Sequence, residues 1–363
     1  MLSISKPTLV LNSGTCKENI RRMAIKARDA GVLFRPHFKT HQSGTIGQWF
    51  RAEGVTAITV SSVTMARYFA LHGWNDITIA FPVNLFEIEE INSLAATIQL
   101  TLLLESESAA LFLAENLTSE CGFFIKIDTG YHRTGIEFSN MSLINNVLKS
   151  ATGSKLKFKG FLVHSGNTYR SQSREEIIQI QLFTAEKLLL LKKHFIPEYP
   201  DLILSVGDTP TCSQLPVAEG MDEIRPGNFV FFDVMQFGLG SCLLTDIAVA
   251  LVCPVVATHL NRKEAVIYGG AIHLSKEQTL LVPDPEPLFG LAVKWEGSGW
   301  DTSTLLGKVK TLSQEHGVVS LTQAGCNLKP GDLVAVLPVH SCLTANLMRR
   351  YYTLEGEPIE TLG

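Results

Sequence analysis

Hydrophobic positions in the first two thirds of the chain follow two alternating patterns. Short aliphatic or β-branched runs end in Gly, Pro or polar clusters. Longer segments follow, with apolar residues three or four apart. The short runs predict strands at 31–37, 55–62, 76–83, 98–105, 122–130, 156–166, 201–209 and 228–234. The longer segments predict helices at 15–30, 42–53, 63–72, 84–94, 106–118, 138–150 and 173–195. The last helix has the clearest ends. Ser173 opens it, Glu175 and Glu176 occupy its first turn, and Lys192 and Lys193 its last, each complementing the helix dipole. Eight β/α units in this span predict a (β/α)8 TIM barrel, although a doubly wound open sheet alternates in the same way.

From about residue 241 the pattern changes. "DIAVALVCPVVATHL", "EAVIYGGAIHLS", "KVKTLSQEHGVVSL" and "GDLVAVLPVHSC" read as strands joined by loops, with little helical periodicity between them. The expected architecture is an α/β barrel over 8–240 followed by a smaller all-β C-terminal domain over 241–363. Residues 1–7 can add a strand to that domain.

Composition narrows the function. The chain has 363 residues, 45% hydrophobic and 18% charged, an ordinary core-forming balance. A net charge of −4 gives no basic excess, so a nucleic-acid partner is not expected. No apolar run reaches about 18 residues, so neither is a membrane partner. The seven cysteines include no C-x-x-C pair, which fits a reducing, cytoplasmic setting. The first residues carry no basic start with an apolar run behind it, so a secretory leader is not expected.

Candidate chemistry gathers at the predicted strand ends. The first strand ends in "RPHFKTH", the fifth in "DTGYHRTG", the sixth in "HSGNTY" and the seventh in "GDTPT", while the strand bodies read as apolar. In a TIM barrel those carboxyl ends form the active-site face, so Lys39, Arg133, His164, Tyr169 and Thr209 are expected to converge. Lys39 has two readings. It is a solvated loop lysine, or a partly desolvated amine near other cations, whose depressed pKa suits Schiff-base chemistry. "GDTPT" is an ordinary Thr-Pro turn, or a phosphate cup with Gly207, Thr209 and Thr211. "VHSCLT" puts His340 and Cys342 two apart, on one face if the segment is a strand. They are then either two zinc ligands or a buried cysteine beside a satisfied histidine.

Taken together, these segments resemble a known family, the fold-type III PLP enzymes of the D-serine dehydratase and D-threonine aldolase group, related to the alanine racemase barrel. The resemblance runs over nearly the whole chain, through "LVLNSGTCKENIRRMA", "RPHFKTHQS", "DTGYHRTGI", "HSGNTY", "VGDTPT", "EIRPGNFVFFD", "QEHG" and "VHSCLT". It implies Lys39 as the Schiff-base lysine to PLP, Tyr169 near the pyridine ring, and Thr209 and Thr211 in the phosphate turn. Arg133 and His164 become cofactor neighbours, and His340 and Cys342 the ligands of Zn2+ or another divalent metal. The implied activity is a lyase on β-hydroxy D-amino acids, of the D-serine dehydratase kind because the late motif is H-x-C. D-threonine aldolase-like cleavage, racemisation with a tyrosine such as Tyr268, and non-catalytic PLP binding are the alternatives. A homodimer is also implied. The chain departs from the family pattern at Asn12, Gln42 and Asp208, where aspartate, lysine and serine are usual.

Overall fold

The computed structural model describes residues 3–281, 284 and 286–363. Among them, eight parallel strands form one sheet. In spatial order they are Leu33–Phe34, Glu223–Ile224, Ile203–Val206, Leu156–Leu162, Cys121–Asp128, Gln99–Leu104, Asp76–Pro82 and Ile58–Val60. A bridge between His37 and Thr59 joins the two ends of this order. There the Phe38 N–H donates to the Thr59 carbonyl at 2.8 Å and the Thr59 N–H to that of Pro36 at 2.9 Å. The ring is thus closed. Parallel neighbours need long crossovers, and each connection along the chain contains a helix. This is the expected α/β barrel.

The eighth strand is not where the sequence placed it. Residues 228–234 form a tight turn running into the short helix Val234–Gly238, and the strand is Glu223–Ile224. The run "FVFF" is apolar because Phe229, Val230, Phe231 and Phe232 are buried, not because it is extended. Asn228 turns the backbone, its carbonyl accepting from the Phe231 and Phe232 N–H groups. Asp233 then caps the helix by accepting from the Gln236 N–H at 2.9 Å.

Nor are the strand bodies purely apolar. Thr59, Thr78, Thr101, Lys126, Ser205 and Glu223 are all buried on barrel strands. Arg35 ties this layer together. Its Nε donates to Glu223 at 2.5 Å and its terminal nitrogens to Asp76 at 2.5 and 3.2 Å. Where the strand Leu156–Leu162 bulges, Gly160 has φ +136, and a Cβ there would lie 2.0 Å from the Ile203 carbonyl oxygen. Only glycine fits such a position.

The second sheet is antiparallel. Its order is Glu264–Tyr268, His316–Leu321, Trp300–Leu312, Gly290–Trp295, Leu333–Pro338, Val249–His259, Thr8–Leu11, Arg350–Thr353 and Pro358–Glu360. Val249–His259 bulges between Val255 and Ala257 and also pairs with Glu264–Tyr268, so six of these strands close a small barrel. This is the all-β part expected after the TIM barrel. The chain separates into two compact units. One comprises 23–39 with 50–227, the other 1–22, 40–49 and 228–363. Residues 8–22, 40–49 and 228–240, expected with the barrel, group with the antiparallel sheet. Of residues 1–7, the first two lie outside the described residues. Among the described residues no helix is long and apolar enough to cross a membrane.

Candidate active site

In the barrel unit several residues at the strand ends are brought together around His164, which feels the charges of Lys39 and Arg133 and lies near Tyr169. Phe38 is fully buried, its ring 4.8, 4.9 and 5.1 Å from those of Phe50, Phe69 and Trp74. This packing fixes the backbone immediately before Lys39, whose N–H donates to Nδ1 of His37 at 3.3 Å. The expected desolvation of Lys39 is not found. Its side chain is exposed.

His164 follows the strand Leu156–Leu162. Its Nδ1 lies 2.7 Å from the Gly207 carbonyl, which can only accept, so Nδ1 carries the proton and Nε2 is the acceptor. Burial holds its pKa well below the ordinary value, and the charge on Lys39 adds to that, followed by Lys126 and Arg133. The imidazole is therefore neutral among cations. Burial also lowers Lys126, to about 7, helped by Arg225 and Arg133. Arg133 is exposed and stacks over Tyr131 at 4.9 Å. Tyr131 in turn needs Gly166, where a Cβ would sit 2.3 Å from its ring.

The hydroxyl of Tyr169 accepts from the Thr209 N–H at 3.4 Å, and its ring lies 6.3 Å from that of His164. Asp208 caps the helix Thr209–Gln214. Its Oδ1 accepts from the Thr211 N–H at 2.8 Å and from the Thr168 hydroxyl at 2.9 Å. Burial raises this carboxyl to about 6, against the pull of those hydrogen bonds and of Arg225. Its Oδ1 is thus engaged, and the carboxyl serves as the capping acceptor of this helix.

The other unit holds His340 and Cys342, though not on a strand. The strand ends at Pro338 and a helix starts at Ser341, with His340 at its N-cap at φ −132 and ψ 97. The i, i+2 argument from strand alternation therefore fails. The two side chains meet because the chain turns from strand into helix. Burial disfavours a charged His340, but hydrogen bonding to Cys342 and the Cys342 and Asp233 charges outweigh it and raise the imidazole to about 9. Asp233 Oδ2 accepts from Asn228 Nδ2 at 2.6 Å and from the Ser341 N–H at 3.0 Å. The Cys342 sulfur lies 3.2 Å from the Thr40 hydroxyl and 3.6 Å from Asn228 Nδ2. Thr40, Asn228 and Asp233 were not singled out in the sequence. The one available signal was an aspartate placed as a cap before Val234–Gly238.

Two departures from the family pattern also find their place in this unit. Asn12 caps the helix Ser13–Asp29, its Oδ1 accepting from the Thr15 N–H at 3.1 Å, as an aspartate would. Gln42 sits at φ +48, held by its side-chain bond to Asn346 at 3.2 Å and by the Leu362 N–H on its carbonyl at 2.7 Å.

A family model described as the alanine racemase N-terminal domain matches residues 11–234, and one described as a putative serine dehydratase domain matches 248–354. The chain belongs to the alanine racemase N-terminal domain family. The D-serine dehydratase of Dictyostelium discoideum is similar to it, at 26% identity over 98% of this chain and 94% of that protein. So is the D-threo-3-hydroxyaspartate dehydratase of Delftia sp. (strain HT23), at 24% identity over 98% and 96%. The solved structure of that Delftia protein superposes with a TM-score of 0.90 at 23% identity, covering 99% of this chain and 98% of its own. Both parts of the chain are thus matched by domain models, and these dehydratases are similar to it over nearly its whole length.

The residues present fit the family's cofactor. Thr209 has a buried hydroxyl with no hydrogen-bond partner, the kind of group a phosphate satisfies. The charges acting on His164 come from Lys39, Lys126 and Arg133, a field that suits an anionic ligand. A divalent metal also fits. His340 Nδ1 and Asn228 Oδ1 are buried without partners, and the surroundings of His340 favour a positive charge. Imidazole and thiolate are zinc-type donors. Among the described residues no group of three His, Cys, Asp or Glu is placed to hold a metal, so His340 and Cys342 are the pair that would hold one.

Proposed function

We propose that the chain removes water from a β-hydroxy D-amino acid in the manner of a D-serine dehydratase, with PLP on Lys39 and a divalent metal at His340 and Cys342. One observation carries this reading. The H-x-C pair sits beside Asp233, and its sulfur is hydrogen-bonded to Thr40, the residue that follows Lys39 in the chain. The names of the relatives support it, and a cysteine-to-alanine mutant of D-threo-3-hydroxyaspartate dehydratase is described in a metal-free form.

When bound, PLP supplies an electron sink for charge left at Cα, and the metal supplies Lewis acidity toward a hydroxyl. This chain's own residues do the rest. The Lys39 amine takes the Cα proton as general base. Neutral His164, its Nδ1 tied to the Gly207 carbonyl, offers an acceptor at Nε2 without adding charge. Tyr169, bonded to the Thr209 backbone, and Thr209 and Thr211 bind and orient the cofactor. Arg133 and Lys126 contribute positive field for anionic groups. His340 and Cys342 would hold the metal that supplies this Lewis acidity.

Product analysis on D-serine, D-threonine and 3-hydroxyaspartate tests this. Ammonia with a keto acid is expected. Glycine with an aldehyde would replace elimination by aldol cleavage, and an inverted substrate would make the chain a racemase. No product from a PLP-loaded chain would leave a binding protein. Lys39→Ala is expected to lose the absorbance band of the lysine-bound cofactor. Zinc content should fall in His340→Ala and Cys342→Ala. The homodimer belongs to the same proposal and is checked by light scattering.

A further inference from the structure

The sulfur of Cys342 has an environment whose polarity can be worked out atom by atom. Asp233 is buried, and both of its oxygens are used as acceptors. Oδ1 takes the Gln236 N–H at 2.9 Å, and Oδ2 takes the Ser341 N–H at 3.0 Å. A carboxylate facing backbone N–H groups in this way has to accept, so the Asn228 atom 2.6 Å from Oδ2 has to be the amide nitrogen. The amide cannot be flipped without setting oxygen against oxygen. Its nitrogen, not its oxygen, therefore faces the Cys342 sulfur at 3.6 Å, although its second proton is shared with the nearer Ser341 hydroxyl at 3.2 Å. On the other side is Thr40, fully buried, with its hydroxyl 3.2 Å from the same sulfur. A hydroxyl can donate or accept, but a metal-ligating cysteine is a thiolate with no proton to give. Thr40 is then the donor.

We infer that Thr40 is a positioning residue of the metal site, holding the Cys342 thiolate by a donated hydrogen bond. This rests on the metal reading above and adds to it. Donated bonds draw charge from a ligand sulfur and fix where its lone pairs point. Partners of this kind typically change metal affinity by about 10–100-fold. Thr40 directly follows Lys39, so one dipeptide carries both the amine that takes the proton and the hydroxyl that sets the metal's ligand. A substitution at Thr40 would reach the metal without touching either ligand.

The test uses the PLP-loaded protein with Co2+ in place of the native metal. Affinity is read by competition with a chelator, and the sulfur-to-cobalt charge-transfer band by absorbance. Thr40→Val keeps the shape and removes the donor. It is expected to weaken Co2+ binding by about tenfold or more and to move the band to longer wavelength, because an unbonded sulfur gives up charge more readily. Thr40→Ser restores the hydroxyl without the methyl and is expected to match wild type in the band. An unmoved band and an unchanged affinity in Thr40→Val would overturn the inference. So would a Thr40→Ser band shifted as far as that of Thr40→Val. Wild type that takes up no Co2+, or His340→Ala that binds it as well as wild type, would remove the metal reading itself, and this inference with it.

Discussion

Asp208 makes a sharp prediction about pH. Its carboxyl is buried beside the Thr209 and Thr211 hydroxyls, and burial raises it from the ordinary 3.8 to about 6. In the unfolded chain it titrates at the ordinary value. Between these two values the folded protein binds the extra proton, so stability falls as pH rises through the window. At 1.36 kcal/mol per unit, a separation of about two units is worth roughly 3 kcal/mol, fully lost just above pH 6. Asp208→Asn removes the titration while keeping an oxygen to accept from the Thr211 N–H and cap the helix. Urea unfolding of both proteins in PLP-free form, from pH 4 to 7, isolates this group because other titrations cancel in the difference. The stability of the variant relative to wild type should increase with pH and level off above about 6. Two parallel curves would refute the reasoning, since the hydrogen bonds from Thr168 and Thr211 would then hold the carboxyl at its ordinary value. With PLP added at neutral pH, the variant should also bind the cofactor more tightly, one negative charge having left the neighbourhood of its phosphate.

Three further outcomes are expected. Arg35→Met takes from buried Glu223 its hydrogen-bonded cation and should cost about 3–5 kcal/mol in denaturant unfolding; a loss under about 1 kcal/mol would mean that Ser205 and Arg225 together hold the carboxylate. Phe38→Leu gives up three ring contacts worth about 0.5–1.5 kcal/mol each. It should lower stability by about 2 kcal/mol and weaken PLP binding, because the anchor before Lys39 loosens; cofactor titration by absorbance checks it. His164→Gln loses the neutral ring acceptor, and about 1 kcal/mol of binding, or roughly fivefold in PLP dissociation, is expected. Equal affinity would place Nε2 out of contact with the cofactor.

The barrel was legible because its signal is periodic. The crossover helices have amphipathic repeats and capped ends, and Ser173 does cap Arg174–Phe195 through the Glu176 N–H. What misled was apolarity read as extension. "NFVFF" is buried on all sides, and burial looks the same in a strand as in a tight turn. The H-x-C pair was found for a reason that does not hold, since alternation along a strand does not bring His340 to Cys342. The polar layer of Arg35, Glu223, Ser205 and Arg225 was invisible for another reason. Each residue alone breaks a strand pattern, and only their mutual pairing makes their burial tolerable. Thr40, Asn228 and Asp233 act by hydrogen bonds across up to 302 residues of sequence, which no local pattern encodes.

The pairing of Thr8–Leu11 with Val249–His259 and Arg350–Thr353 has a consequence for how the chain is made. The first ordered strand to leave the ribosome waits for partners synthesised some 240 to 340 residues later. Residues 50–227, with their largely sequential contacts, can collapse on their own during that wait, since domains fold as units while synthesis continues. The antiparallel sheet cannot, because Thr8–Leu11 and Arg350–Thr353 meet only after the residues between them have been made. A chain stalled before Arg350 would then carry an apolar N-terminal strand with one edge uncovered, which is where chaperone capture or aggregation would begin.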